Sequence, residues 1–121
     1  MQQRLHPEGN HPDIARSMNN LAMTLGELGK HQQALGMKKE VLKMDQRLHP
    51  EGGHPDIAAS MNNLAVTLYH LGKLGESEAL FASALSIRRR LLPPNHPHLA
   101  GCEQDLAFLR SSMKSASATP R

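Results

Sequence analysis

Residues 4–30 read RLHPEGNHPDIARSMNNLAMTLGELGK, and residues 47–73 read RLHPEGGHPDIAASMNNLAVTLYHLGK. Of these 27 aligned positions 22 are identical, at an offset of 43 residues. A third, weaker copy, HPHLAGCEQDLAFL, begins at His96, which follows His54 by 42 residues. Self-similarity at a period of about 20–50 residues marks stacked supersecondary units, each unable to bury its own apolar face alone. The repeat therefore decides the fold class before any local structure is assigned.

Each unit reads as two helices. In the first, Ile14, Met18, Leu21, Leu25 and Leu28 are spaced 4, 3, 4, 3, which draws one stripe along a helix. Ile57, Met61, Leu64, Leu68 and Leu71 repeat the stripe. Pro12 and Pro55 stand where a helix can start, because the missing N–H of proline goes unused in the first turn. Asp13 and Asp56 place negative charge at the positive end of the helix dipole. Gly29 and Gly72 stand where a helix ends in a left-handed residue. A second stripe, Ala34, Met37, Val41, Met44 and Leu48, has its counterpart in Leu80, Ala84, Ile87 and Leu91. Between residues 31–48 and 74–91 only 3 of 18 positions agree, so the first helix is nearly copied and the second has drifted. No segment shows strand-like alternation.

The predicted organisation is a remnant of a preceding repeat and its loop over 1–10, one unit over 11–53 and a second over 54–95. A partial third unit covers 96–113, and a disordered tail covers 114–121. The tail expectation rests on the Ser-rich stretch SSMKSASATPR, from Ser111 to Arg121.

These residues resemble tetratricopeptide repeats, most closely the 42-residue form of kinesin light chains. The carrying string HPD-I-A-x-S-M-N-N-L-A stands at His11 to Ala22 and again at His54 to Ala65, each followed by Leu-Gly-Lys. The resemblance covers about residues 1–113. It implies an all-α, right-handed solenoid of helix-turn-helix units, here two full units plus a C-terminal capping helix. Phe81 and Ala84 match the family's aromatic and small positions in the second helix. Lys38 and Val41 are their equivalents in the first unit, and Lys38 departs from the pattern. Its helix is expected to pack less fully, or its stem to carry the charge out to solvent.

The resemblance also implies a concave groove lined by the first helices. Carried over, its positions are Arg16, Asn19, Asn20, Met23 and Glu27 in the first unit. In the second they are Ala59, Asn62, Asn63, Val66 and His70, with Tyr69 at the rim. In the third they are Gly101, Gln104, Asp105 and Phe108. Tandem asparagines are poor helix formers, so a compensating interaction is expected. An amide both donates and accepts, which suits the backbone of an extended peptide. Asn20 and Asn63 resemble the family asparagine that holds such a backbone. Asn19 and Asn62 are expected to bond neighbouring helices or loops. Arg16 is the sole basic residue at these positions, and Glu27 and Asp105 oppose a clamp for a terminal carboxylate. Met23, Val66 and Phe108 suit apolar anchors of a linear segment.

The expected function is capture of an extended peptide or partner segment, in a scaffold or adaptor role. The alternative is self-assembly into homo-oligomers through exposed repeat ends. MQQRL at Met1–Leu5 matches MDQRL at Met44–Leu48, as if the chain began in the last turn of a second helix. The apolar outer side of the helix near Pro12 would then need cover from a second copy. At the other end Glu103 and Arg110 replace Met61 and Leu68, which predicts a polar capping face.

Other classes find little support. The 14 Lys and Arg against 11 Asp and Glu leave a net charge of +3, and Arg88, Arg89 and Arg90 form the one basic run. With Tyr69, Phe81 and Phe108 as the only aromatics, a stacking platform for nucleic acid is missing. No Gly-rich phosphate loop, nucleophile with a positioned base or catalytic carboxylate pair is recognisable, so neither an enzyme nor a cofactor is expected. The eight histidines recur with the loop, and only His96 and His98 are close in sequence, so no metal site is expected. His11, His54 and His96 are expected to order the turn before each helix. No apolar run approaches the ~20 residues that span a bilayer, the start lacks a signal-peptide core, and Cys102 is a lone thiol; a cytoplasmic protein is the expectation.

Overall fold

The computed structural model describes residues 12–118. The expected remnant over 1–10, and the turn at His11, lie outside these residues. Five helices follow one another: α1 (Pro12–Glu27), α2 (His31–Leu48), α3 (Pro55–His70), α4 (Leu74–Leu91) and α5 (Pro97–Ala118). The described residues contain no strand. The main contacts run between consecutive helices, which is the quasi-linear arrangement of a solenoid. The protein is thus the all-α repeat array that the period demands.

The helix boundaries follow from local chemistry. At the start of α3, His54 is extended at φ −109°, ψ 144°, and its Nδ1 accepts the Asp56 amide at 3.0 Å. His96 does the same for the amide of His98 at 3.1 Å, ahead of α5. Each imidazole satisfies one of the amides that a helix start leaves without an internal partner. Gly29 and Gly72 carry φ of 81° and 80°, a region that other residues enter at a steric cost. There the Lys30 and Lys73 amides reach back to the Leu25 and Leu68 carbonyls at 2.8 and 2.9 Å, the paired closure of a left-handed helix end.

Small residues set the interhelix spacing. Ala22, Ala34, Ala58, Ala65 and Ala84 are fully buried, which lets backbones approach closely. The largest apolar cluster lies in the second half, where Ala65, Phe81 and Leu85 meet Leu99, Leu106 and Leu109 of α5. The first unit is thinner: Ala15, Val41 and Met44 form its cluster, with Met18 against them. Lys38, which stands where Phe81 does, corrects the expectation of a side chain carried out to solvent. It is buried, and its ammonium donates to the Asn63 carbonyl at 3.2 Å.

Two further differences concern α5. The helix continues through 114–118, where a disordered tail was expected. Ala, Lys and Met favour helix, Ser costs only a few tenths of a kcal/mol, and no breaker intervenes before Pro120. Glu103 and Arg110 stand at the surface, as a polar face requires, but both are engaged by α4: Glu103 by Arg89 at 3.0 Å and Arg110 by Glu78 at 2.9 Å. Exposed pairs of this kind contribute about 0–1 kcal/mol each.

Equivalent residues of the two units differ sharply in burial. Leu64 is 5% exposed and its counterpart Leu21 is 49% exposed. In urea denaturation, Leu64→Ala is expected to cost about 2–5 kcal/mol. Leu21→Ala should cost less than about 1 kcal/mol, as an exposed site does. Equal losses would contradict the one-sided cover of α1.

Candidate functional site

The groove-facing residues of α1, α3 and α5 come from a helix face that the apolar stripe leaves free. Arg16 is exposed and tied to Asp13 of its own helix at 2.8 Å. Asn20 is exposed, and its carbonyl accepts the Thr24 hydroxyl at 3.2 Å. Asn63 of α3 turns its amide to Asn19 Oδ1 of α1 at 3.5 Å, a long contact that spans the two units. Asn19 thus bonds a neighbouring helix, as expected. Asn62 does not: its Oδ1 is buried without a hydrogen-bond partner, so its amide acceptor is left unsatisfied.

Two of the hollows among the described residues are lined by residues expected at the groove. The first, of about 360 Å³, lies where the starts of α1 and α3 meet the end of α2. Arg16, Asn19, Asp45, His49, His54, Asp56, Ser60 and Asn63 line it together with Ala15, Val41, Leu48 and Ala59, so polar and charged groups sit among apolar ones. The second, of about 200 Å³, lies between α3, α4 and α5 and is lined by Val66, Tyr69, Phe81, Asp105, Phe108 and Leu109. Of the residues expected at the groove, Arg16, Asn19, Ala59 and Asn63 gather at the first hollow and Val66, Tyr69, Asp105 and Phe108 at the second. Asn20, Met23, Glu27, Asn62, His70, Gly101 and Gln104 line neither.

The first hollow holds groups that the sequence reading passed over. Asp45 is buried and accepts a hydrogen bond from the Ser60 hydroxyl. Desolvation raises its pKa and is the largest effect. The Ser60 bond lowers it, the Asp56 charge raises it, and His49 and His54 lower it. Lys38 has its pKa lowered by the same loss of water. The signal for Asp45 was its place beside Met44 in the apolar stripe, where a carboxylate must face the neighbouring helix.

Sequence spacing also concealed a histidine pair. His49 and His54 come from the two ends of the loop between α2 and α3, where Gly52 turns with φ 85°. Their rings stack with centroids 3.4 Å apart, 11° from parallel. Asp56 Oδ2 lies 3.4 Å from His49 Nε2 and 3.7 Å from His54 Nδ1. The three side chains offer donor atoms within 4.8 Å of one another, which corrects the reading that only His96 and His98 approach. The geometry is that of a helix start rather than a coordination shell. His54 Nδ1 already accepts the Asp56 amide, and parallel rings do not converge their lone pairs on one point.

A tetratricopeptide repeat model matches residues 1–47, and a second model of the same description matches residues 57–98. The chain belongs to the tetratricopeptide repeat family. No curated protein matches the chain. Among solved structures, it is similar to two of a kinesin-light-chain-type protein of Podosopora anserina with nearly identical TPR-like repeats. One, a point variant, has a TM-score of 0.77 at 24% identity and is matched over 89% of this chain and 50% of that one. The other has a TM-score of 0.75 at 24% identity, over 88% and 50%. BtubC (BKLC) of P. vanneervenii has a TM-score of 0.68 at 21% identity, over 98% of this chain and 55% of that one. The chain spans about half the length of these structures, and the likeness is one of fold. Tetratricopeptide repeats are non-catalytic modules for protein–protein interaction, so this chain is an interaction scaffold of that kind. No helix among the described residues is long and apolar enough to cross a membrane.

The raised pKa of Asp45 fixes a pH dependence for the array. The folded state holds this proton more tightly than the unfolded chain, whose carboxyl titrates near 3.8. Stability from the protonated form is therefore present below that value and lost as pH rises through the higher folded value. Asp45→Asn keeps an acceptor for Ser60 but does not titrate. In urea denaturation across this range, the wild type should lose stability relative to Asp45→Asn as pH rises. A constant difference would contradict the assignment.

Proposed function

We propose that this tetratricopeptide array captures an extended segment of a partner protein along the face shared by α1, α3 and α5, and so acts as an adaptor. One observation carries the reading. Met23, Val66 and Phe108 occupy the same position in the three helices, and each is exposed, at 49%, 37% and 62%. Three apolar side chains repeated one unit apart form a ladder that suits the anchors of a linear peptide. Between them the side-chain amide of Asn63 makes one hydrogen bond among the described residues, its long contact to Asn19, so a peptide backbone can take over that amide at little cost. The exposed Asn20 offers a second donor and acceptor one unit earlier.

A random peptide library selected on the intact chain would supply ligands. For a selected peptide, Asn20→Ala combined with Asn63→Ala should weaken binding roughly tenfold or more, since each hydrogen bond is worth about 1 kcal/mol net. Circular dichroism should show unchanged helicity. Unaltered affinity in the double variant would remove the two asparagines from the site.

Self-assembly is the second reading, favoured by a different observation. Ile14, Leu21 and Leu28 are exposed along one side of α1, whereas their equivalents Ile57 and Leu64 are buried and Leu71 is half-buried. A second copy could cover that side. Sedimentation equilibrium over a concentration series should then show a mass above 13.3 kDa that rises with concentration. A constant 13.3 kDa would leave the peptide reading alone.

A further inference from the structure

We propose that the hollow between α3, α4 and α5 selects partner segments in which a large apolar side chain stands beside a lysine or arginine. The inference rests on the peptide reading above and assigns that groove its preferred chemistry. Val66, Tyr69, Phe81 and Phe108 make the walls apolar, and Asp105 is the single charged residue lining them. The Tyr69 and Phe108 rings lie 6.3 Å apart and tilted by 59°, so they diverge and leave room beside them. Phe108 is 62% exposed, the apolar surface that a partner side chain would cover.

Asp105 differs from its neighbours in having no cation. On the same two helices Glu103 is paired with Arg89 and Glu78 with Arg110. Asp105 is exposed and makes no hydrogen bond or ion pair among the described residues. A carboxylate at the rim of an apolar hollow repels an acidic segment and attracts a cation, and the faces of Tyr69 and Phe108 add to that attraction. The net charge of +3 acts the other way at long range. At physiological salt, screening sets in beyond about 8 Å, so the contact at the rim prevails for a bound peptide.

The preceding step of the array shows why the selectivity is local. There the equivalents of Phe81, Tyr69 and Asp105 are Lys38, Gly26 and Asn63. The Lys38 stem enters the interior and its ammonium is bound by the Asn63 carbonyl. That step lacks both the aromatic walls and the carboxylate. The groove thus mixes polar and apolar groups at its α1 end and is apolar with an acidic rim at its α5 end.

The test is selection of a phage-displayed random peptide library on the intact chain, followed by fluorescence anisotropy with the selected peptides. Recovered sequences should be enriched in large apolar residues next to Lys or Arg. Asp105→Asn should weaken such a peptide about two- to fivefold, the range of a surface ion pair. Asp105→Lys should shift a repeated selection toward acidic residues, and Phe108→Ala should abolish the apolar preference. Both sites are exposed, so the fold is not at risk. Peptides that bind without a basic preference, or equally to Asp105→Asn, while Asn63→Ala weakens them, would overturn this inference and leave the groove reading standing. Failure to recover any groove-dependent peptide would overturn both.

Discussion

Ile57, Leu64 and Leu68 must be covered from two sides, and α4 alone cannot do it. Ile57 meets Ala84 and Ile87 of α4, while Leu64 and Leu68 meet Leu35 of the preceding α2, with Leu42 and Leu80 completing the contact. The chain must therefore stack its units in order, since a helix pair taken alone would leave one apolar side of its first helix in water. At about 25 cal/mol per Å² that exposure is a large fraction of a small domain's net stability. The same demand explains the fully buried alanines, which bring α2, α3 and α4 close enough to share cover. It also explains α1, whose outer stripe stays open where α3's is closed. By committing the apolar stripe to stacking, the array leaves Met23, Val66 and Phe108 exposed on the remaining face of α1, α3 and α5.

A second constraint fixes how one unit meets the next. Ser60 of α3 bonds Asp45 of α2, and at the equivalent positions of the next step Cys102 of α5 meets Arg88 of α4 at 2.8 Å. The chemistry differs, carboxylate with hydroxyl in one case and guanidinium with thiol in the other, but the place is the same. Directional contacts at a buried seam favour one register over a slid alternative, which apolar packing alone discriminates poorly. They also show how the second helices could drift. Phe81 and Lys38 fill equivalent sites, one by its ring and the other by a stem whose charge is bound to a carbonyl.

The fold was readable because period, stripe and punctuation agreed. His-Pro before α3 and α5 reappears as the imidazole cap, and Leu-Gly-Lys after α1 and α3 as the left-handed glycine closure. At the end of α5 the Ser-rich composition suggests disorder, yet Ser, Ala and Lys tolerate helix until a proline intervenes, and the helix runs to Ala118. Val66, Tyr69, Asp105 and Phe108, expected together from equivalence of position, line one hollow, because a repeat carries each residue to the same face. That equivalence could not find the contacts that depend on the drifted second helix and the loop. Lys38 turning inward, Asp45 against Ser60, and His49 stacked on His54 each require knowing which way α2 faces α3. Linear spacing does not encode that angle.

The central claim is that partners bind the face made by α1, α3 and α5. Side-chain NMR of the intact chain, with a bound peptide titrated in, addresses it most directly. The account predicts that the Asn20 and Asn63 amide signals and the Tyr69 and Phe108 ring signals shift together and saturate at one peptide per chain. Shifts confined instead to Ile14, Leu21 and Leu28, or to the outer sides of α2 and α4, would contradict it.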